Sequence, residues 1–288
     1  MLKIAVPNKG RLSESTLELF RKAGLKVESS PDRKLFATAL DRTVQILFLR
    51  ASDIPEFVQD GVAHLGVTGA DIIQEAGKDV DEVMDLQFGY CRLVVAVPEA
   101  SGWTDPKAIP DNARVATSFP NMTRRYFEGL GRRVRIVEVS GATEVTPHMG
   151  VADAITDLVS SGSTLAMNNL REIGVVLPST ARVVANKAAL ADMTLRARMD
   201  EILSSLDSVV KARGKRYLMA NVPRAKLDEV RRILPGISGP TIMDVLSHPE
   251  IVAAHAVVDE DALFAIVAKL KAIGSTGVLV LPIERLVP

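Results

Sequence analysis

The stretch from Glu144 to Leu165 gathers side chains suited to a phosphorylated sugar: two acidic residues, Glu144 and Asp157, and then the small, hydroxylated run Ser160-Ser161-Gly162-Ser163-Thr164. Read as a strand, Asp153, Ile155, Asp157 and Val159 share one face, which puts Asp157 near the strand's carboxyl end, just ahead of the run. A helix is expected from Leu165. Strand, small-residue loop and helix N-terminus make an anion cradle, because main-chain N–H groups and hydroxyls converge while the helix dipole favours negative charge. An ionised Asp157 only accepts hydrogen bonds, which suits sugar hydroxyls. The ordinary alternative is a βα turn whose Ser and Gly merely satisfy the helix end. Glu144, Asp157 and the hydroxyl run together favour a phosphosugar site. Neither Gly-x-x-x-x-Gly-Lys-Ser/Thr nor Gly-x-Gly-x-x-Gly occurs, so P-loop phosphoryl transfer and nicotinamide chemistry are not indicated.

Two cations are the next candidates. Lys9 and Arg50 each follow an apolar strand, Leu2 to Val6 and Val44 to Leu49, and a cation at that edge of a sheet can meet phosphates. The four histidines show no metal-ligand spacing, and no nucleophile–base grouping stands out. Cys91, the single cysteine, lies in a strand-like run and reads as a small buried apolar residue; Trp103 reads as a packing residue in a loop.

The elements that must hold these residues alternate between strand and helix. Up to about residue 92, strands at Leu2 to Val6, Val44 to Leu49 and His64 to Val67 are separated by short helices, which argues for a mainly parallel sheet with ligands at its carboxyl edge. Lys9, Arg50 and Gly69 lie in the loops there. A second alternation runs through strands Leu93 to Val97, Arg114 to Thr117, Val134 to Val139 and Asp153 to Val159. A strand at Arg182 to Ala185 and one long helical stretch, Ala189 to Lys211, are expected to cross back to the first domain. The last segment reads β-α-β-β-α-β, the order of a ferredoxin-like module. The expected domains are 1–92 with 181–212, then 93–180, then 213–288.

With 288 residues, 47% hydrophobic and 24% charged, the chain has the composition of a folded protein of two or three domains. Lys plus Arg and Asp plus Glu are both 35, so no global field draws it to nucleic acid or an anionic membrane; no apolar run is long enough to span a bilayer. An anionic ligand must be held locally. One cysteine and no export signal point to the cytoplasm.

The run from Glu144 to Leu165 also resembles the signature of the ATP phosphoribosyltransferase family: an acidic residue, Gly six positions on, Asp thirteen on, then Ser-Gly-x-Thr-Leu, here Glu144, Gly150, Asp157, Ser161, Gly162, Thr164 and Leu165. Val6-Pro7-Asn8-Lys9-Gly10, Phe48-Leu49-Arg50, Gly66-Val67-Thr68-Gly69-Ala70-Asp71 and Ala116-Thr117-Ser118-Phe119-Pro120-Asn121 extend the match. Tyr217-Leu218-Met219 and Pro235-Gly236-Ile237-Ser238-Gly239-Pro240-Thr241 resemble the C-terminal module of the family's long form. The resemblance implies an α/β core of two lobes, like a type II periplasmic binding protein, followed by a ferredoxin-like module that binds histidine as feedback inhibitor. It implies Mg²⁺ and a homo-oligomer, dimer to hexamer. In the implied reaction adenine N1 of ATP attacks the anomeric carbon of phosphoribosyl pyrophosphate and pyrophosphate leaves with inversion. Carried over to these positions, Asp153, Asp157, Ser160, Ser161, Gly162, Ser163 and Thr164 would bind the phosphoribosyl donor. Lys9, Gly10, Arg50, Gly69 and Phe119 would bind ATP. Lys9, Arg50, Glu144 and Asp157 would serve the chemistry, and Asn221, Ile237, Gly239 and Thr241 would meet histidine. The other readings are a two-lobed small-molecule receptor without turnover and a regulatory subunit of a biosynthetic complex.

Overall fold

The computed structural model describes residues 1–25, 36–38, 43–237 and 239–287. Ser238, part of the C-terminal motif, lies outside the described residues. Strand β1 (Leu2–Pro7) leads through the Lys9 loop to helix α1 (Arg11–Lys22), then come β2 (Phe36–Thr38), β3 (Val44–Leu49), α2 (Ile54–Gln59), β4 (Leu65–Gly69), α3 (Ala70–Ala76) and β5 (Asp81–Asp85). The second lobe holds β6 (Cys91–Pro98), β7 (Arg114–Thr117), α4 (Pro120–Gly129), β8 (Arg135–Glu138), β9 (Ala154–Val159), α5 (Ser163–Met167) and β10 (Leu170–Ser179). Then β11 (Ala181–Ala185) returns to the first sheet, followed by α6 (Lys187–Ala191) and α7 (Met193–Ala212).

The sheet orders are β2-β3-β1-β4-β11-β5 and β10-β6-β9-β7-β8. Both are mixed, where the alternation of strand and helix argued for mainly parallel. Among the described residues, pairing is parallel at β1 with β3 and β4 and at β7 with β8 and β9; β2, β5, β6, β10 and β11 run antiparallel to their neighbours. Apart from the edge strand β2, the antiparallel strands are those that carry the chain between lobes: β5 leads to β6, and β10 leads to β11 with only Thr180 between. Sequence patterning overlooked β2, β5 and β10. β5 is an acidic, solvent-facing edge, and β10 carries Gly174, Pro178 and two register shifts, features tolerated at an edge and rare in a central strand. The single helical stretch expected over Ala189 to Lys211 is instead two helices. The Asp192 carboxylate accepts the N–H groups of Thr194 and Leu195 at 2.8 and 2.9 Å, and so caps a new helix.

The first lobe's core is Ala5, Ile54, Val58, Ala63, Ile73 and Val184; in the second lobe, Val94, Ala96, Ala116 and Ile155 line one side of the sheet and Val95, Val97, Val115 and Phe127 the other. Burial on both faces is why these strands read as continuous apolar runs.

The chain divides into two compact units, Met1–Arg21 with Leu25–Leu203, which contains both lobes, and Lys22–Gly24 with Ser204–Pro288. The second unit contains β12 (Lys215–Pro223), α8 (Leu227–Ile233), β13 (Thr241–Asp244), β14 (Ile251–Asp259), α9 (Leu263–Ala272) and β15 (Thr276–Pro282), with antiparallel sheet order β13-β14-β12-β15. This is the ferredoxin-like arrangement. Leu218, Ala220, Val222, Val252, Ala254 and Ala256 turn alternate positions onto Val230, Leu234, Ile266 and Leu270 of the helices. A two-lobed α/β core with a ferredoxin-like tail is the fold class that the sequence implied.

Candidate active site

The loops that follow β1 and β9 and the junction of β4 with α3 line two cavities between the lobes. A cavity of about 320 Å³ is lined by Arg11, Glu144, Asp157, Ser160, Ser161, Gly162 and Thr164, with Leu158, Val159 and Leu165. A second, of about 190 Å³, is lined by Lys9, Gly10, Arg11, Gly69, Asp71, Cys91 and Ser179 among others. Arg11 and Leu158 line both, so the two cavities adjoin.

The β9–α5 loop forms because Gly162 takes φ +82°, a left-handed turn that ordinary side chains resist, and Ser163 then opens the short helix α5. The Ser161 and Ser163 hydroxyls lie 3.0 Å apart as a hydrogen-bonded pair. Asp157, half-buried at the end of β9, accepts the Leu158 N–H at 2.8 Å. Burial pushes its carboxyl pKa up and the Glu144 charge adds to this, while the Leu158 N–H and the Thr143 hydroxyl oppose it. Glu144 sits in the single turn Thr143–Val145, on the cavity wall.

Asp153 is not part of this group. It precedes β9 at the opposite end, ~13 Å away along a strand, and its carboxylate is taken by Arg114, through Nη2 at 2.7 Å, Nε at 3.2 Å and the main-chain N–H at 2.8 Å. These bonds lower the Asp153 pKa. A shared strand face put Asp153 and Asp157 together in the sequence reading, but the three β9 residues Ala154, Ile155 and Thr156 lie between them and separate a structural ion pair from the loop.

Of the expected ATP residues, Lys9, Gly10 and Gly69 line the second cavity. Arg50 is exposed just past β3 and lines neither cavity, although its neighbour Ala51 lines the second. Phe119, half-buried, is the N-cap of α4 beyond β7 and also lines neither; its N–H donates to Thr117 Oγ1 at 2.9 Å.

Three residues, Arg11, Asp71 and Ser179, were not singled out by sequence reasoning. Arg11, the first residue of α1, donates from Nη1 to Ser160 Oγ at 2.5 Å and so joins the β1 loop of one lobe to the β9 loop of the other. A cation at a helix N-terminus opposes the dipole, and that local conflict was the available signal. Asp71 is buried at 4% exposure; it accepts the Ser179 hydroxyl at 2.5 Å while its own N–H donates to Ser179 Oγ at 3.1 Å. Cys91 is buried beside them, its thiol pKa raised by burial first and by the Asp71 charge second, as befits an inert thiol.

In the second unit, Asn221 on β12 and Thr241 on β13 share the sheet face opposite the helices, two strands apart across β14 and offset by two residues, hence separated by ~12 Å. Ile237 is exposed and Gly239 takes φ +91° in the turn before β13. Among the described residues no group of three or more His, Cys, Asp or Glu side chains suits a metal ion, and no helix is long and apolar enough to cross a membrane.

A two-lobed α/β fold whose interlobe loops bring hydroxyls, carboxylates and an arginine to one cavity has the chemistry to take a phosphorylated sugar. Residues 50–208 match the family described as ATP phosphoribosyltransferase, and residues 212–285 the one described as HisG, C-terminal domain. Curated relatives named ATP phosphoribosyltransferase include one from Gemmatimonas aurantiaca, 50% identical over 293 residues with both chains covered in full, and one from Methanocaldococcus jannaschii, 46% identical over 288 residues, covering 99% of this chain and 100% of that one. Among solved structures, the ATP phosphoribosyl transferase (HisG:HisZ) complex from Thermotoga maritima is similar, with 30% identity and a TM-score of 0.64, over 73% of this chain and 99% of that chain. The chain belongs to the ATP phosphoribosyltransferase family, in its long form. It is an enzyme, a pentosyltransferase that performs the first step of histidine biosynthesis.

Proposed function

We propose that the two adjoining cavities hold the two substrates of this transfer, the phosphoribosyl donor against Asp157 and Ser160 to Thr164, and ATP toward Lys9, Gly10 and Gly69. The observation that carries this reading is Arg11, which lines both cavities and bonds Ser160. Its charge faces the point where the polyphosphates of both substrates would meet. Adenine N1 is a lone-pair nucleophile, so the step needs alignment more than a base: N1 held in line with the anomeric carbon, carboxylates near the positive charge that develops there, and cations on the departing pyrophosphate. Asp157 and Glu144 supply the second requirement, and Arg11 and Lys9 the third. Arg50 and Phe119 enter this scheme at the rim, on the adenine and triphosphate side.

Mg²⁺ fits this donor set. It commonly takes one or two carboxylates together with substrate phosphates, and Glu144 and Asp157 share the cavity wall. There it would neutralise charge on the leaving pyrophosphate. The test is direct: with ATP, phosphoribosyl pyrophosphate, Mg²⁺ and a pyrophosphatase, absorbance of the N1-substituted adenine product should appear, and a flat trace from folded protein would overturn the assignment.

The same reading takes 1–92 with 181–212 and 93–180 as two catalytic domains, supported by their separate sheets, and 213–288 as a histidine sensor with Asn221, Ile237, Gly239 and Thr241 as its contacts. It takes the protein as a cytoplasmic homo-oligomer, between dimer and hexamer, and its mass in solution by light scattering with and without histidine checks that. The Thermotoga structure is of a complex with a second chain; here the match of residues 212–285 to the HisG C-terminal domain supports regulation within one chain.

A further inference from the structure

Helix α4 begins without a cap of its own. Its N-cap is Phe119, whose side chain has no acceptor, and Pro120 opens the first turn, so the N–H groups of Asn121 and Met122 need a partner from elsewhere. It comes from the other lobe. Glu75, in the last turn of α3, accepts the Asn121 N–H on Oε1 at 2.9 Å and the Met122 N–H on Oε2 at 2.8 Å. The Asn121 side-chain amide donates to the Glu75 carbonyl oxygen at 3.1 Å, and Arg125, one turn along α4, donates to the Gln74 carbonyl oxygen. A carboxylate against a helix N-terminus is also favoured by the dipole. The far end of α3 is Gly69 and Asp71, on the wall of the second cavity. One short helix thus runs from that wall in the first lobe to the start of α4 in the second.

We propose that Glu75 is a positioning residue for the transfer reaction: by capping α4 from the opposite lobe it fixes the start of that helix, Phe119 included, and sets the spacing of the lobes over the two cavities. This rests on the reading that those cavities hold the substrates. Glu75 lines neither of them. With Asn121 and Arg125 it borders a separate cavity of about 280 Å³, so its effect on turnover would pass through the placement of α4 and the spacing of the lobes. A cleft already set to the productive width spares the substrates the cost of selecting a minor conformer.

The test compares parent, Glu75→Ala and Glu75→Gln, the last keeping one acceptor oxygen. Spin labels on cysteines introduced at the exposed positions Asp60 and Glu128 report the lobe separation without any substrate. The expected result is a broader, longer distance distribution in Glu75→Ala, with KM raised ~3- to 10-fold and kcat at saturation within about twofold of the parent. Glu75→Gln should fall between. Unchanged distances overturn the proposal, whether KM is unchanged or KM, kcat and the melting temperature all worsen together, the pattern of a merely structural residue. If instead the parent itself fails to turn over the two substrates, the functional reading falls, while the distances still decide the cap.

Discussion

At the scale of single residues, the two aspartates of β9 make opposite predictions. Asp157 has a raised pKa, so the folded state holds its proton more tightly than the unfolded chain does, and this group's contribution to stability falls as pH rises through the window between its unfolded and folded values. Above that window the parent bears the cost of a buried charge that Asn lacks. Asp157→Asn should therefore match or exceed the parent's melting temperature at pH 8 while its KM for the phosphoribosyl donor rises ~10-fold or more, measured beside a smaller change for ATP. Donor binding should weaken on acidification at a pH above the ordinary Asp value of ~3.9. Asp153 has a lowered pKa, so its contribution is present above the unfolded value and is lost as pH falls through the folded one. Asp153→Ala should cost about 0.5–1 kcal/mol in denaturant unfolding at neutral pH, a figure kept small because the pair is a third exposed, and leave the donor KM unchanged. Arg11→Ala should raise the donor KM ~10- to 100-fold, the range for a charge-assisted hydrogen bond; steady-state kinetics in which it behaves as the parent would remove Arg11 from the site.

Elements decide how close those residues come. β4 passes into α3 at Gly69, where an added Cβ would stand 2.2 Å from Asp71 Oδ1. The position is closed by the carboxylate that α3 folds back to meet Ser179, since the Gly69 backbone is ordinary at φ −80°. Gly69→Ala should accordingly displace Asp71, cost ~1–3 kcal/mol in denaturant unfolding and raise the KM for ATP. The β9–α5 loop was legible in the sequence because its donors are consecutive from Ser160 to Thr164. The Asp71–Ser179 bond joins residues 108 apart and the Arg11–Ser160 bond residues 149 apart. No local pattern encodes such a meeting; it exists once β10 and β11 bring the chain back between the lobes.

For the whole molecule, the histidine regulation we propose would belong to the second unit, whose residues 212–285 match the HisG C-terminal domain. Asn221 and Thr241 lie on the open face of its sheet, so Asn221→Ala and Thr241→Val should fold as the parent does, with helices and core untouched. Each should raise the histidine concentration needed for half-inhibition ~5-fold or more, read from pyrophosphate release; inhibition identical to the parent would exclude this face as the sensor. With formal charges that cancel, the proposed capture of two polyanions would rest on the residues that line the two cavities, Lys9, Arg11 and the β9–α5 loop. By itself the sequence determined the alternation of strands and helices, the ferredoxin-like order of the tail and the acidic-plus-hydroxyl loop, because periodicity and small-residue runs act over a few neighbouring residues. Only the tertiary structure decided that the sheets are mixed, that Asp153 belongs to Arg114, that Arg11 shares a cavity with Asp157 and that Asp71 is buried against Ser179. Those outcomes follow from strand pairing and side-chain burial between segments far apart in the chain.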